Sequence, residues 1–511
     1  MLAKIKSLGL DGIKGYEVRV EVDINSGLPK FETVGLPDAA IKESKERIRS
    51  AIKNSNLQFP LTKITVNLAP ADTKKEGPIY DLPIAVALLV CVGEIKNDNI
   101  NDYTFLGELS LDGSICHING VLPALITARS LGHKKVVVPY ENKVEASFID
   151  GLDVYAVKSL SELVAFLNGA EDLKPIEKQN FDSIKQNHIT QNDFCYVKGQ
   201  ACAKRAMEIA AAGGHNMLMI GPPGAGKTML ARCLPTILPD LTFEEALEVT
   251  KIHSIAGVLD SKEGIVLERP FRSPHHTSTK IALTGGGAKA KPGEISLSHN
   301  GVLFLDELPE YNRQTIETLR QPLEDGIISI SRIQSTVEYP ASFMLIASMN
   351  PCPCGHYGSK THECRCTPTQ IHKYLDKLSG PLMDRIDLHV EVDNVTYQEL
   401  TSDSQLEESS ETIKKRVNKA REAQLKRLSN SGHYCNAKLT TQEIRKYCAL
   451  DKDCEQLISD AFETLQLSAR AYNRILKVAR TIADLENSEN ITLLHLAEAI
   501  SYRSLDKKYW F

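Results

Sequence analysis

Nothing in the sequence would hold it in a membrane, and no cysteine pattern would staple it outside a cell. The longest uncharged apolar run, Leu82 to Gly93, falls well short of the ~20 residues that a bilayer-spanning helix needs. Met1 to Gly12 carries Lys4, Lys6 and Asp11 without an apolar block and a small-residue cleavage site, and so does not read as a secretory leader. Eight of the twelve cysteines (Cys91, Cys116, Cys195, Cys202, Cys233, Cys435, Cys448 and Cys454) stand singly, which is no disulfide framework. These absences predict a soluble, cytoplasmic protein without membrane contact. Internal repeats and low-complexity tracts are also missing. So is any excess of positive charge: a net charge of -5 gives no global attraction to nucleic acid, and contact with phosphates must come from local clusters.

What is present is an ordinary globular composition spread over 511 residues, too long for one core, so that roughly two to four domains are expected. Residues 1–168 alternate strand and helix patterns and predict a compact α+β domain. Glu17 to Val22 alternates as a half-buried strand, Ile41, Ile48, Ala51 and Ile52 mark one helix face, and Ile64 to Leu68 and Lys135 to Val138 read as further strands. Residues 169–193 turn polar and read as a linker. Residues 194–395 hold three apolar runs typical of buried parallel strands: Met217 to Ile220, Val302 to Leu305 and Phe343 to Ala347. Residues 396–511 read as a helical domain. There Ile475, Val478, Ala479, Ile482 and Leu485 share one face, and Thr492 opens a second helix bearing Leu493, Leu496, Ala497 and Ile500.

The most specific motif is Gly221-Pro222-Pro223-Gly224-Ala225-Gly226-Lys227-Thr228, which leaves an apolar strand and enters a helix continuing through Met229. Glycines at these positions let backbone N–H groups wrap phosphates, Lys227 reaches the β and γ oxygens of ATP, and Thr228 binds Mg²⁺. The strand Gly301 to Leu305 ends in Asp306-Glu307, where one carboxylate holds Mg²⁺ and the next orients the attacking water. A third strand ends at Asn350, whose amide can hold the same water; a plain turn before Pro351 is the alternative.

Four cysteines remain. Cys352, Cys354, Cys364 and Cys366 form C-x-C, nine residues, C-x-C, enough thiolates for one tetrahedral Zn²⁺ in a loop spanning 352–366. His356 and His362 are possible substitute ligands, and free or redox-active thiols are the alternative. Phe271-Arg272-Ser273-Pro274-His275-His276 is too unusual to be filler, yet composition assigns it no chemistry.

Gly285 to Glu294, Gly301 to Glu310, Asn350 to Gly355 and Ser379 to Leu388 together resemble the bacterial Mg-chelatase-like AAA+ ATPases of the YifB/ComM group, with the likeness covering nearly the whole chain. The resemblance implies an α/β multidomain fold: a P-loop AAA+ core of the Mg-chelatase/MCM clade, a C-terminal helical lid, and an N-terminal Lon-protease-like (ribosomal S5 domain 2-like) α+β domain. It also implies that Arg385 is an arginine finger reaching into a neighbouring subunit and that Arg470 is a sensor-2 residue, hence a homo-oligomeric ring, a hexamer. Without it, both arginines read as surface residues paired with Asp384, Asp387 or similar carboxylates. By the same likeness Lys289, Lys291 and Arg332 fall on pore-facing loops, as candidate contacts for single-stranded or branched DNA; solvated loop charge is the alternative. The basic run Lys414 to Arg427 reads as a solvated helix face.

Function is narrowed accordingly. The resemblance implies a hexameric, DNA-binding helicase or branch-migration factor acting in natural transformation or recombination, alongside recombination proteins. A metal-chelatase motor is the alternative, and a nucleotide-gated scaffold a further one. An ATP-dependent protease is disfavoured, because the positions matching Lon's nucleophilic serine and catalytic lysine hold Ile79 and Pro123, neither of which can attack a carbonyl or take a proton.

Overall fold

The computed structural model describes residues 1–185, 192–260, 262–287, 290–331, 336–358, 362–395, 407–429 and 431–509. The chain forms two compact units. The first comprises Met1–Asn187, Phe243–Leu267 and Arg332–Glu338; the second comprises His188–Thr242, Glu268–Ser331 and Tyr339–Phe511.

In the first unit a seven-stranded sheet is built from β1 (Leu2–Asp11), β2 (Lys14–Asn25), β3 (Lys30–Val34), β4 (Lys63–Ala69), β5 (Tyr103–Phe105), β6 (Lys135–Pro139) and β7 (Asp153–Val157), in the order β3-β4-β2-β1-β5-β6-β7. β1 and β2 are antiparallel over their length, from Leu2 opposite Asp23 to Asp11 opposite Lys14. The alternation of β2 has its expected result: Val18, Val20 and Val22 are fully buried while Glu17, Arg19 and Glu21 lie toward solvent. Ala39–Asn54 is a helix with Ile41, Ile48, Ala51 and Ile52 on its buried face, capped by the Asp38 side chain, which accepts a 2.9 Å hydrogen bond from the Ile41 N–H. The long apolar run is a core helix, Asp81–Val92, buried almost all round and closed by Gly93 in the left-handed region. Ile79 packs against the apolar clusters beside the sheet, and Pro123 is buried in the helix Val121–Ser130. The helix Phe243–Ala256 belongs to this unit; Ser254 Oγ accepts from the Gly120 N–H at 3.0 Å.

The second unit is built on a parallel sheet of β8 (Met217–Ile220), β9 (Phe271–Arg272), β10 (Val302–Leu305), β11 (Met344–Met349) and β12 (Leu388–Glu391), ordered β9-β10-β11-β8-β12. β8, β10 and β11 are buried at every position, which is why their sequences lose alternation. β11 begins and ends later than its apolar run predicts, because Ser348 and Met349 continue the ladder beside β8. The helices Ala469–Leu485 and Leu493–Ser501 share one apolar cluster with these strands, and the first buries all five residues of its predicted face. Among the described residues no helix is long and apolar enough to cross a membrane.

Candidate nucleotide site and cysteine cluster

β8 lies between β11 and β12, and its C-terminal end opens where the chain leaves the sheet for the next helix. In open parallel sheets ligands bind outside such carboxyl ends. Gly221 must stay small, because a Cβ there would sit 2.1 Å from the Val392 carbonyl oxygen. Gly224 and Gly226 adopt left-handed φ of 79° and 84°, a conformation that costs a residue with a side chain roughly 1–2 kcal/mol. The helix Lys227–Cys233 follows directly.

A cavity of about 350 Å³ opens here, lined by residues 223–229 together with Asp306, Glu307, Ser348, Met349 and Asn350. Lys227 is 8% exposed, and its ammonium donates to the carbonyls of Gly221 (2.6 Å) and Pro222 (2.8 Å) and to Asn350 Oδ1 (3.2 Å). Burial pushes it down to about 8, against the opposing charges of Asp306 and Glu307. Asp306 accepts from Thr228 Oγ1 at 2.8 Å, from the Glu307 N–H at 3.0 Å, and from Ser348 Oγ. The hydroxyl and carboxylate oxygens so gathered are the hard donors that Mg²⁺ takes, so the residues present fit that ion. Glu307 stands in the left-handed region at φ 51°, ψ 49°, a strained backbone for a glutamate.

The fold therefore gathers Lys227, Thr228, Asp306, Glu307 and Asn350 around one cavity. Arg385 and Arg470 are not on its wall. Arg385, nearly buried, donates to the Pro381 carbonyl (2.6 Å) and to Glu324. Arg385 and then Arg470 and Arg474 hold the Glu324 carboxyl below its ordinary range. Asp387 is taken instead by His215 (3.2 Å) and Arg474, which keep it well below the carboxylate range although burial works the other way. Lys291 lies in a two-residue strand paired with Gly285–Gly286; Lys289 and Arg332 lie outside the described residues.

Three participants are not named by sequence reasoning. Ser348, the one hydroxyl in an apolar strand, is two residues before Asn350 and so on its face; that spacing is a readable signal. Gln200, also left-handed at φ 59°, donates to the Ala225 carbonyl (3.3 Å) and to that of Asp393, bracing the phosphate loop. Glu324 has no signal beyond being one of 65 acidic residues.

The four clustered cysteines converge. Cys352 Sγ lies 3.4 Å from Cys354 Sγ and 3.7 Å from Cys364 Sγ, Cys354 and Cys364 are 3.6 Å apart, and all four sulfurs fall within 4.8 Å of one another. A disulfide needs about 2.05 Å. Zn–S bonds of 2.3 Å in a tetrahedron give sulfur separations of about 3.8 Å, which these match. Burial raises the Cys354 thiol, but N–H groups of His356 and Arg365 and the thiols of Cys352 and Cys366 outweigh it and bring it down to about 6. The loop also abuts the phosphate loop: a Cβ on Gly355 would lie 2.6 Å from Pro223 Cδ.

Family models of magnesium chelatase subunit ChlI match residues 20–142, 193–400 and, for its C-terminal part, 407–503. The uncharacterized protein YifB of Salmonella typhimurium is 45% identical over 506 residues, covering 99% of this chain and 98% of its own. The competence protein ComM of Haemophilus influenzae is 42% identical over 507 residues, covering 99% and 98% respectively. Lon protease 2 of Bacillus subtilis is 28% identical over 159 residues, 29% of this chain and 28% of its own. The mixed α/β architecture with its parallel sheet is the magnesium chelatase AAA+ core, flanked by N-terminal and C-terminal domains. The chain belongs to the YifB/ComM family of magnesium-chelatase-like AAA+ proteins.

Proposed function

We propose that the protein is an ATP-hydrolysing motor that works as a ring on single-stranded or branched DNA, in transformation or recombination. The observation that carries the ATPase reading is the convergence of Lys227, Thr228, Asp306, Glu307 and Asn350 on one cavity. Backbone N–H groups of residues 224–228 wrap the phosphates, and Lys227 leaves its carbonyl partners for the β and γ oxygens. Thr228 and Asp306 hold Mg²⁺, which when bound neutralises phosphate charge. Glu307 and Asn350 orient the attacking water, with Ser348 fixing Asp306. Arg385 completes the site of a neighbouring subunit in a homo-oligomer, most simply a hexamer, and Arg470 takes the sensor-2 role.

The DNA reading is supported by the competence protein among the relatives and by Lys291 on the hairpin Gly285–Pro292, with Lys289 and Arg332 as further contacts. Cys352, Cys354, Cys364 and Cys366 hold a structural Zn²⁺ that braces the loop against Pro223. Ile79 and Pro123, packed in apolar surroundings, favour a binding or assembly role for the N-terminal domain over proteolysis.

The test is ATP turnover and strand displacement on a forked substrate, comparing wild type, Lys227→Ala and Lys289→Ala. Loss of both activities in the first, with coupling alone lost in the second, is expected; absence of DNA stimulation and of displacement in wild type sinks the DNA reading. The chelatase-motor reading is favoured by the ChlI family models and predicts ATPase stimulation by a porphyrin-binding partner instead.

A further inference from the structure

Two of the clustered cysteines follow Asn350 closely in sequence, and the other two lead into a helix that returns to it. On the near side only Pro351, whose ring fixes its φ, separates Asn350 from Cys352. On the far side Cys366 is followed by Thr367, the cap of the helix Pro368–Leu375. Thr367 Oγ1 accepts from the Gln370 N–H (3.3 Å), and Gln370 Oε1 accepts from the Thr367 N–H (2.9 Å). This reciprocal cap sets the helix direction at the residue after the last sulfur. About two turns on, the buried Tyr374 hydrogen-bonds through its hydroxyl with the Asn350 backbone. The sulfurs and the Asn350–Tyr374 contact therefore pin the same stretch of chain at its two ends.

That stretch also reaches the phosphate loop. The Tyr357 N–H donates to Cys352 Sγ (3.3 Å) and the Gly355 N–H to the Cys352 carbonyl (3.0 Å), which turns the chain around a fully buried sulfur. Gly355, at φ 82°, is thereby brought so close to Pro223 that no side chain fits between them. Beside this contact a second cavity, of about 360 Å³, is lined by Pro222, Pro351, Gly355 and Tyr357 among others, and gives the turn room to shift. Pro223 and Asn350 both line the nucleotide cavity, and Asn350 Oδ1 takes a hydrogen bond from Lys227. Two points on the nucleotide wall thus depend on a turn that the four thiols close.

We propose that a zinc ion held by Cys352, Cys354, Cys364 and Cys366 and a nucleotide held in the cavity stabilise one another, with Tyr374 as the positioning residue that relays closure of the turn to Asn350. This rests on the readings of the cluster as a zinc site and of the cavity as an ATP site. With zinc bound, the turn is already closed when the nucleotide arrives; without it, part of the nucleotide's binding energy goes into closing it. Linkage makes the effect reciprocal, so zinc and nucleotide each raise the affinity of the other by one common factor, about tenfold.

The test uses the full chain without DNA. Zinc affinity is measured by competition with a chromogenic chelator, with and without a slowly hydrolysed ATP analogue and Mg²⁺. Analogue affinity is measured by fluorescence titration of zinc-loaded and zinc-stripped protein. Both affinities are expected to rise about tenfold when the other ligand is present, by equal factors. Tyr374→Phe keeps the ring and drops the hydroxyl; it is expected to bind zinc and melt as wild type does while its coupling falls below about threefold. Zinc affinity that ignores the analogue in wild type overturns the proposal, and full coupling in Tyr374→Phe overturns the role given to Tyr374. Should the zinc-stripped chain unfold, the rate of zinc loss from intact protein to the chelator decides: the analogue slows it about tenfold in wild type and less than about threefold in Tyr374→Phe, or the proposal falls. A wild-type chain that takes up no zinc, or no analogue, overturns instead the reading on which the proposal rests.

Discussion

Each unit of the protein buries a lysine against backbone carbonyls, and the two lysines have different surroundings. In the first unit Lys75, fully buried, donates to the Thr73 carbonyl at 2.7 Å, and burial lowers its pKa against the charge of Asp72. In the second, Lys227 has two carbonyls, the Asn350 amide oxygen, two carboxylates nearby and an open cavity in front of it. Burial depresses a lysine in either place. What distinguishes a phosphate-binding lysine is a cavity that a ligand can enter and acceptors that it can exchange for that ligand. The same contrast runs through the two units as a whole, since Ile79 and Pro123 of the first lie in apolar surroundings, whereas the second gathers Lys227, Thr228, Asp306, Glu307 and Asn350 around its cavity.

The sharpest way to break this comparison is to remove each lysine. Lys227→Ala is expected to lower ATP turnover about 1000-fold, a loss of the size seen when one preorganised phosphate-directed group is removed, while Lys75→Met leaves turnover within about twofold. Equal effects in a coupled ATPase assay would erase the distinction. Next in size is Arg385→Ala, which on the proposed ring costs about 100-fold in turnover while leaving nucleotide affinity of the isolated chain unchanged. An equal loss of affinity, read by fluorescent-nucleotide titration at a concentration where the protein is monomeric, would place it in its own site. Smaller still, Cys364→Ser with Cys366→Ser is expected to abolish a content of one zinc per chain and to lower the melting temperature by about 3 °C, checked by metal analysis and thermal melts.

The smallest effect concerns pH. The folded pKa of Lys75 is depressed, so its favourable contribution is complete only above the unfolded value near 10.5 and is lost as pH falls through the folded one. Lys75→Met therefore melts slightly higher than wild type at pH 7, and the gap narrows as pH approaches 10.5. A gap that widens with pH, followed by calorimetry, would contradict burial as the cause.

Much of the site is legible in the sequence, because its chemistry is local. Gly221 to Thr228, Asp306 and Glu307 each follow an apolar strand at a spacing that geometry demands, and the cysteine spacing anticipates four convergent sulfurs. The illegible part depends on pairings between distant segments. Register between β9 and β10 brings His276 to Glu307, and Arg385 meets Glu324 across 61 residues, although nearby Asp384 and Asp387 look like its partners in sequence. The compact grouping of Phe243–Leu267 with the first unit likewise rests on contacts such as Gly120 with Ser254, which no periodicity announces. Resemblance to a family supplies roles for Arg385 and Arg470 that neither spacing nor a single subunit displays.

The central claim is that this cavity hydrolyses ATP to drive work on DNA. Its most direct test is Mg²⁺-dependent phosphate release by the purified wild-type chain and by Glu307→Gln, with and without forked DNA. The account predicts turnover in wild type that rises when DNA is added and is lost in Glu307→Gln. Turnover that is absent from wild type, indifferent to DNA, or undiminished in Glu307→Gln would contradict it.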